Sequence, residues 1–409
     1  MLHWIADFRP WRLVDQLDGG GDMRQEDIGQ DGDQRLLAGL TGKIQTVTGL
    51  IDPEMLGVCL THEHLLIDLS DLLPPPNTAT ARAFYASPVS AEAAAYCRNY
   101  SEFGTAHHAL DSVETAVEEL GLFKQYGGQA MVDLTLASIY RDPVGLQRIS
   151  RAAGVHVVMG CGFYVAATHP PALSDWNEQQ IAAMIVADIV EGAAAEEESR
   201  STGKGVVYRK NTGVRAGVIG EIGCSSPLHD DERKCLRAAA RAQRQTGACI
   251  FVHPGREETA PLQILDELRS AGADLRRVVL AHLDRTVFNR DTLQEIAETG
   301  VYLSYDLFGN YPSGFYPHNP AVHLLNDAGR VADIGWMIER GWTEQILISH
   351  DMAQAFRLAK WGGHGYHYVL AEIVPLMRMR GISEEEVDQI LVGNPRALLT
   401  IVAPLDKPA

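Results

Sequence analysis

The strongest constraint on this chain is a rhythm. Eight short, largely apolar runs recur at 56–60, 130–134, 155–159, 216–219, 249–252, 278–281, 301–305 and 346–348, each followed by a longer amphipathic stretch. Uninterrupted apolar runs of this length suit strands buried on both faces, as in parallel sheets. The stretches between them carry helix punctuation. Ser226-Pro227 precedes a periodic segment at 230–245 that stops before Gly247, and segments 261–270 and 291–299 also end near a glycine. Eight strands alternating with helices predict an α/β chain folded as a (β/α)8 TIM barrel, with a doubly wound sheet as the alternative.

The first 40 residues break this rhythm. Gly19-Gly20-Gly21-Asp22 and the polar 25–34 stretch bury little apolar surface, which predicts a flexible N-terminal extension over 1–40, with Met23 an alternative start. One barrel domain is expected over 41–405. Two connections are long. One follows the first run and contains Pro74-Pro75-Pro76. The other precedes the fourth and contains Glu196-Glu197-Glu198 and the basic 204–210 stretch. Both are expected to be lids or surface insertions.

The formal charge of −18 disfavours nucleic acid and anionic membranes as partners. No apolar run spans a bilayer and the N-terminus lacks a signal-peptide pattern, so the expected location is cytoplasmic. The six cysteines are scattered, with no C-x-x-C pair, and read as reduced thiols filling the core.

In this barrel the chemistry sits at the carboxyl ends of the strands. Metal-ligand residue types occur there repeatedly. The first run ends in Thr61-His62-Glu63-His64, where strand alternation puts His62 and His64 on one face. The fourth ends in Gly220-Glu221, the fifth in His253-Pro254-Gly255-Arg256, the sixth in His282-Leu283-Asp284-Arg285 and the eighth in Ser349-His350-Asp351. Singly, each reads as readily as a structural side chain. Together, four histidines and two carboxylates suffice for two cations sharing a bridge. Imidazole with carboxylate favours zinc, manganese, iron or cobalt over calcium. Paired ions about 3.5–4 Å apart activate a bridging water and polarise a substrate oxygen.

These segments, with Gly162-Phe163-Tyr164-Val165, the 215–223 segment, Tyr305-Asp306-Leu307-Phe308-Gly309 and Gly362-Gly363-His364-Gly365-Tyr366, make the chain resemble the phosphotriesterase family of the amidohydrolase superfamily over about residues 41–403. Within that family it looks most like the phosphotriesterase-related branch, which is implicated in hydrolysing N-acyl amides such as N-acetyltaurine. The resemblance implies His62, His64 and Asp351 on one metal and His253 and His282 on the other. Many members bridge the ions with a carboxylated lysine. Gly220 stands at that position here, and the branch places the bridge on the next residue, Glu221. Leu307 also replaces a proton-relay histidine of the paraoxon-hydrolysing members, which argues against efficient phosphotriester cleavage.

The implied reaction is hydrolysis by a metal-bridging hydroxide attacking a carbonyl, with Asp351 as base and then acid. A small anionic N-acyl amide is the expected substrate. Lactone or organophosphate hydrolysis is the alternative, and a non-catalytic ligand-binding barrel is the alternative of another class. Tyr164 is expected in the pocket wall. Arg256 is expected either to anchor a substrate anion or to bind a neighbouring loop. Asp284 is expected either to orient an acid or base or to pair with Arg285. His364 is expected in a Gly-rich loop over the site. By analogy with the family, a homodimer is expected.

Overall fold

The computed structural model describes residues 39–72, 78–79, 82, 85, 87–98, 105–197, 207–310 and 323–405. The expected N-terminal extension (except Gly39 and Leu40), Met23, the proline triplet at 74–76 and residues 198–206 lie outside them.

All eight apolar runs become parallel strands of one sheet: β1 (Cys59–Glu63), β2 (Ala130–Asp133), β3 (His156–Cys161), β4 (Val218–Gly223), β5 (Ile250–His253), β6 (Val278–Leu280), β7 (Tyr302–Tyr305) and β8 (Ile346–Ile348). Ladder order follows chain order from β1 to β8. Helices separate the strands: α1 (Val113–Gln125), α2 (Pro143–Ala153), α3 (Glu178–Val190), α4 (Asp230–Thr246), α5 (Ala260–Ser270), α6 (Arg290–Glu298) and α7 (Asp327–Ile338). After β8, Val369–Ile373 runs into α8 (Val374–Met379). This is the (β/α)8 barrel.

Strand alternation sorts the core into two compartments. Phe251, Val279 and Leu347 point inward with Cys59, Val132, Val158 and Val218. Ile250, Val252, Val278, Leu280, Ile346 and Ile348 point outward beneath the helices. The inner compartment also holds Ile44 from an N-terminal hairpin (Ile44–Thr46 paired with Gly49–Ile51), and Leu398 and Leu399 from the C-terminal helix. On β5, the residue that continues the inward series after Phe251 is His253.

Two strands depart from a regular ladder. The β1–β2 register shifts between Leu60 and Glu63, and the β4–β5 register shifts between Ile219 and Ile222. Each irregularity falls on a segment carrying a polar strand-end residue, His62 and Glu221. Bulges redirect side chains in this way. Both strands also run further than their apolar runs, to Glu63 and Gly223, because the polar residues that end them are buried and still extended.

Helix α4 starts later than Ser226-Pro227 suggested. Its N-cap is His229, and Glu232 completes a capping box. Glu232 also accepts hydrogen bonds from Ser225 N, Ser225 Oγ and Ala166 N. One buried carboxylate therefore fixes the loops after β3 and β4, and the helix begins where that anchoring ends. Gly247 closes it with φ +74.

In the first long connection, helix Ala91–Cys97 and the turn Thr105–His108 flank undescribed segments. Arg98 Nη1 donates to the carbonyls of Phe356 and Trp361, so this insertion rests on the loop after β8, at the carboxyl end of the barrel. The second long connection contains an antiparallel pair, Ala194–Glu197 with Val207–Asn211. Among the described residues no helix is long and apolar enough to cross a membrane.

All six cysteines are free thiols and buried. Burial pushes Cys235 and Cys249 up to about 12 and raises the other four as well. Since the thiolate is the reactive form, the folded protein at about pH 8 is expected to leave all six untouched by Ellman's reagent over minutes. All six should react after denaturation. Rapid reaction of one in the folded protein would contradict the packing described.

Candidate metal centre

The carboxyl ends of the barrel strands bring six polar side chains together. His62 and His64 come from β1 and the residue after it, Glu221 from β4, His253 from β5, His282 from just after β6 and Asp351 from the loop after β8. Glu221 stands at the middle. Its Oε2 is 3.0 Å from His253 Nδ1 and 3.4 Å from both His62 Nε2 and His282 Nε2; its Oε1 is 3.6 Å from His64 Nε2. Asp351 Oδ1 lies 3.1 Å from His64 Nε2 and 3.7 Å from His62 Nε2. Two sets, His62–Glu221–His282 and His62–His64–Asp351, have all their ligand atoms within 4.8 Å of one another.

The imidazoles are oriented from behind. Asp306, the residue after β7, accepts from His62 Nδ1 (2.9 Å), from His282 Nδ1 (2.7 Å) and from the His282 backbone N–H (3.0 Å). Ser304 Oγ donates to the same carboxylate (2.8 Å). Burial would raise the Asp306 pKa, but His282 and His62 hold it well below the carboxylate range. An ionised Asp306 only accepts, so both histidines carry their proton on Nδ1 and present the Nε2 lone pair to the cluster. His64 Nδ1 is engaged by Thr135 Oγ1 at 2.9 Å.

His62 Nε2 is buried and without a hydrogen-bond partner, while a carboxylate oxygen lies 3.4 Å away. A lone pair facing a carboxylate in a dry site repels it unless a cation stands between them. Burial would lower the His62 pKa, yet the charges of Glu221 and Asp306 drive it well above 6.5; conversely, burial would raise Glu221, yet His62 and His253 hold it well below 4.5. The donor set thus demands positive charge at its centre, which is what divalent cations supply. Nitrogen with carboxylate oxygen is the chemistry of zinc and its neighbours.

Backbone conformations at the site are uncommon. His282 has φ +56 and Asp351 φ +51, two of three non-glycine residues with positive φ among the described residues. Such strain persists where the surroundings over-determine it. Around Asp351 they do. Glu63 accepts from His350 N (2.9 Å) and Met352 N (3.1 Å), and Arg357 donates to the carbonyls of His350 and Asp351 (2.6 Å each).

Gly220 explains why a side chain at the lysine position is ruled out here. Its φ is +116, and a Cβ would collide with the Phe251 carbonyl oxygen. The next residue, Glu221, is the one that faces the cluster.

Of the side chains expected to contact substrate, Tyr164 is half-buried with its hydroxyl 3.2 Å from His253 Nδ1. Arg256 is partly exposed on the loop after β5, close enough for its charge to act on Tyr164. The other two sit elsewhere. Asp284 is fully buried and accepts from Arg330 Nε (2.6 Å) and Leu307 N (3.1 Å), so its ion pair is with Arg330 on α7 and it braces the β7 loop instead of facing a substrate. His364 stacks on His350 at 5.5 Å and accepts from Arg357 Nε at 3.3 Å, which places it behind the Asp351 turn. Burial and the charge of Arg357 keep it neutral.

Asp306, Glu63, Thr135 and Arg285 also hold the cluster or border it, without a motif that singles them out for these roles. A sequence signal existed for Asp306, a lone carboxylate directly after the seventh apolar run. Nothing local marks Arg285, whose Nη2 lies 3.1 Å from His253 Nε2.

Residues 42–399 match the phosphotriesterase family. An N-acetyltaurine hydrolase from Tetraodon nigroviridis is 38% identical over 366 residues, 89% of this chain and 99% of the relative. A phosphotriesterase-related protein from Nematostella vectensis is 36% identical over 363 residues, 88% of this chain and 99% of the relative. The crystal structure of a resiniferatoxin-binding protein from Rhodobacter sphaeroides superposes with a TM-score of 0.79 at 34% identity, covering 89% of this chain and 96% of that one. With its barrel, its strand-end cluster and these relatives, the chain belongs to the phosphotriesterase family, metal-dependent hydrolases of the amidohydrolase superfamily that act on small molecules.

Proposed function

We propose that this protein is a binuclear metal-dependent amidohydrolase that cleaves a small anionic N-acyl compound, with N-acetyltaurine and N-acetyl amino acids as the leading substrates. The observation carrying this reading is Glu221, a carboxylate within 3.6 Å of all four imidazoles of the cluster. His62, His64 and Asp351 would hold one divalent ion, His253 and His282 the other, and Glu221 would link the two. Zinc is the expected metal, with manganese, iron or cobalt able to replace it. When bound, the ions supply Lewis acidity towards a substrate carbonyl oxygen and lower the pKa of water.

The protein's own groups set the rest. Asp306 fixes two imidazoles in one tautomer and orientation, so the cluster is preorganised. Asp351 keeps 17% of its side chain open and His253 10%, against 0–2% for the other four, so substrate approaches over the Asp351–His253 edge. Tyr164 borders this edge, its hydroxyl 3.2 Å from His253 Nδ1. Asp351 is the proton carrier. It takes a proton from the attacking water as the carbonyl carbon–oxygen bond forms, and gives it to the amine nitrogen as the carbon–nitrogen bond breaks. The second proton of the water passes from the new carboxyl group to the departing amine, so the products are a carboxylate and an ammonium. An amine leaves poorly unless protonated, so a carboxylate at the open edge suits an amide.

The relatives support the substrate class, because an N-acetyltaurine hydrolase matches nearly end to end at 38% identity. We further propose one metal-hydrolase barrel domain over residues 41–405.

A hydrolysis screen of N-acetyltaurine, N-acetyl amino acids, simple lactones and paraoxon, alongside metal analysis, tests this. Expected are about two divalent ions per chain, turnover of anionic amides above the lactones and paraoxon, and loss of at least about 100-fold in kcat/KM for His62→Ala. Fewer than one ion per chain with His62→Ala fully active would refute the metallohydrolase reading, and preferred turnover of a lactone or paraoxon would refute the substrate class. Asp306→Asn, which keeps the shape but removes the charge that orients His62 and His282, is expected to weaken divalent-ion affinity by about 10- to 100-fold. Competition with a chelator measures this, and unchanged affinity would remove Asp306 from the mechanism.

A further inference from the structure

We infer that Arg285 is the anion-recognition residue of this site, pairing with the sulfonate or carboxylate of the substrate beside His253. This rests on the reading above that the substrate is an anionic amide.

Position comes first. The cluster is open at its Asp351–His253 edge. Two side chains border His253 there, the Tyr164 hydroxyl and the Arg285 guanidinium, whose Nη2 is 3.1 Å from His253 Nε2. Arg285 is 4% exposed, so its charge acts in a poorly screened environment one imidazole's width from the ligand atoms. The chain as a whole carries −18. A buried cation at the pocket's open edge therefore runs against the overall field and favours anions locally.

His253 Nδ1 is the nitrogen that faces Glu221 Oε2 (3.0 Å) and His282 Nε2 (2.9 Å). That nitrogen's lone pair would hold a cation in the cluster, and the neutral His253 ring would then carry its proton on Nε2. Guanidinium only donates, and Nε2–H cannot accept from it. With that cation in place the Nη2–H beside His253 would face a substrate oxygen in place of the ring nitrogen, and a planar donor fork matches a sulfonate or carboxylate well. Cation loading and anion binding are coupled through a single ring. Arg256 is less suited, being partly exposed on the loop and more open to screening by water.

The experiment compares three amides of similar size, N-acetyltaurine, N-acetyl-β-alanine and the neutral N-(2-methylsulfonylethyl)acetamide, on wild type, Arg285→Gln, Arg285→Lys and Arg256→Gln. The ratio of kcat/KM for anionic over neutral substrate is read within each variant, so a partly folded preparation does not distort it. Expected is a fall in that ratio of about 10- to 100-fold in Arg285→Gln, partial recovery in Arg285→Lys and little change in Arg256→Gln. An unchanged ratio in Arg285→Gln, or a fall in Arg256→Gln instead, overturns the assignment. A second readout needs no turnover: calorimetric binding of 1-propanesulfonate to zinc-loaded and metal-stripped protein. Binding by loaded wild type, weakened by stripping and lost in Arg285→Gln, supports the inference; equal binding by the loaded wild type and Arg285→Gln overturns it. If wild type hydrolyses none of the amides, the amidase reading fails, and the sulfonate titration still decides the anion site.

Discussion

The site depends on one buried carboxylate that is not part of it. Glu63 ends β1 and accepts four hydrogen bonds across the barrel seam, from Ser349 Oγ, His350 N, His350 Nδ1 and Met352 N. Burial would raise its pKa, but the positive side of His350 and the Ser349 hydroxyl hold it below the usual carboxylate value, so it remains a full acceptor. Its bonds fall on both sides of Asp351. The seam is completed by His62 N donating to Ser349 Oγ and Asp351 N donating to the His62 carbonyl. A barrel of parallel strands has to join its first strand to its last, and here the joint also delivers Asp351 to His62 and His64. Loss of one partner in such a buried network leaves the others unsatisfied, which costs more than a single net hydrogen bond.

Asp306 plays a comparable part on the opposite side. It binds His62 and His282, which come from the first and sixth strands, and so couples strands that are not neighbours in the ladder. Further out, Asp284 and Arg330 form a fully buried ion pair, and Asp284 also accepts from the backbone of Leu307, the residue beside Asp306. Such a pair is weak evidence of stability, but it ties α7 to the backbone beside Asp306. The ligand cluster is thus the innermost layer of a set of charged residues, each held by the next.

Position 220, where the resemblance implies a lysine in other members, is closed to side chains in this chain. The backbone at Gly220 lies in a region open to glycine, and the Phe251 carbonyl fills the space a Cβ would need. The β4–β5 register shifts across this point, and Glu221 faces the cluster instead. The carboxylate that faces the cluster and the backbone conformation before it are therefore linked.

Much of this was legible in the sequence because it is periodic or repeated. Eight apolar runs dictate eight strands buried on both faces, and His253 stands where the fifth run ends. Ligand-type residues at five strand ends point to metals for the same reason. What the sequence does not carry is pairing across large separations. Glu63 meets the 349–352 turn some 286 residues away, and Asp306 meets His62 at a separation of 244. Asp284 and Arg285 are adjacent, but one faces Arg330 in the outer layer and the other faces His253 at the open edge. Local composition fixes which segments are strands and which residues end them. Only closure of the barrel decides which buried charge meets which, because that depends on contacts between strand ends that are distant in the chain.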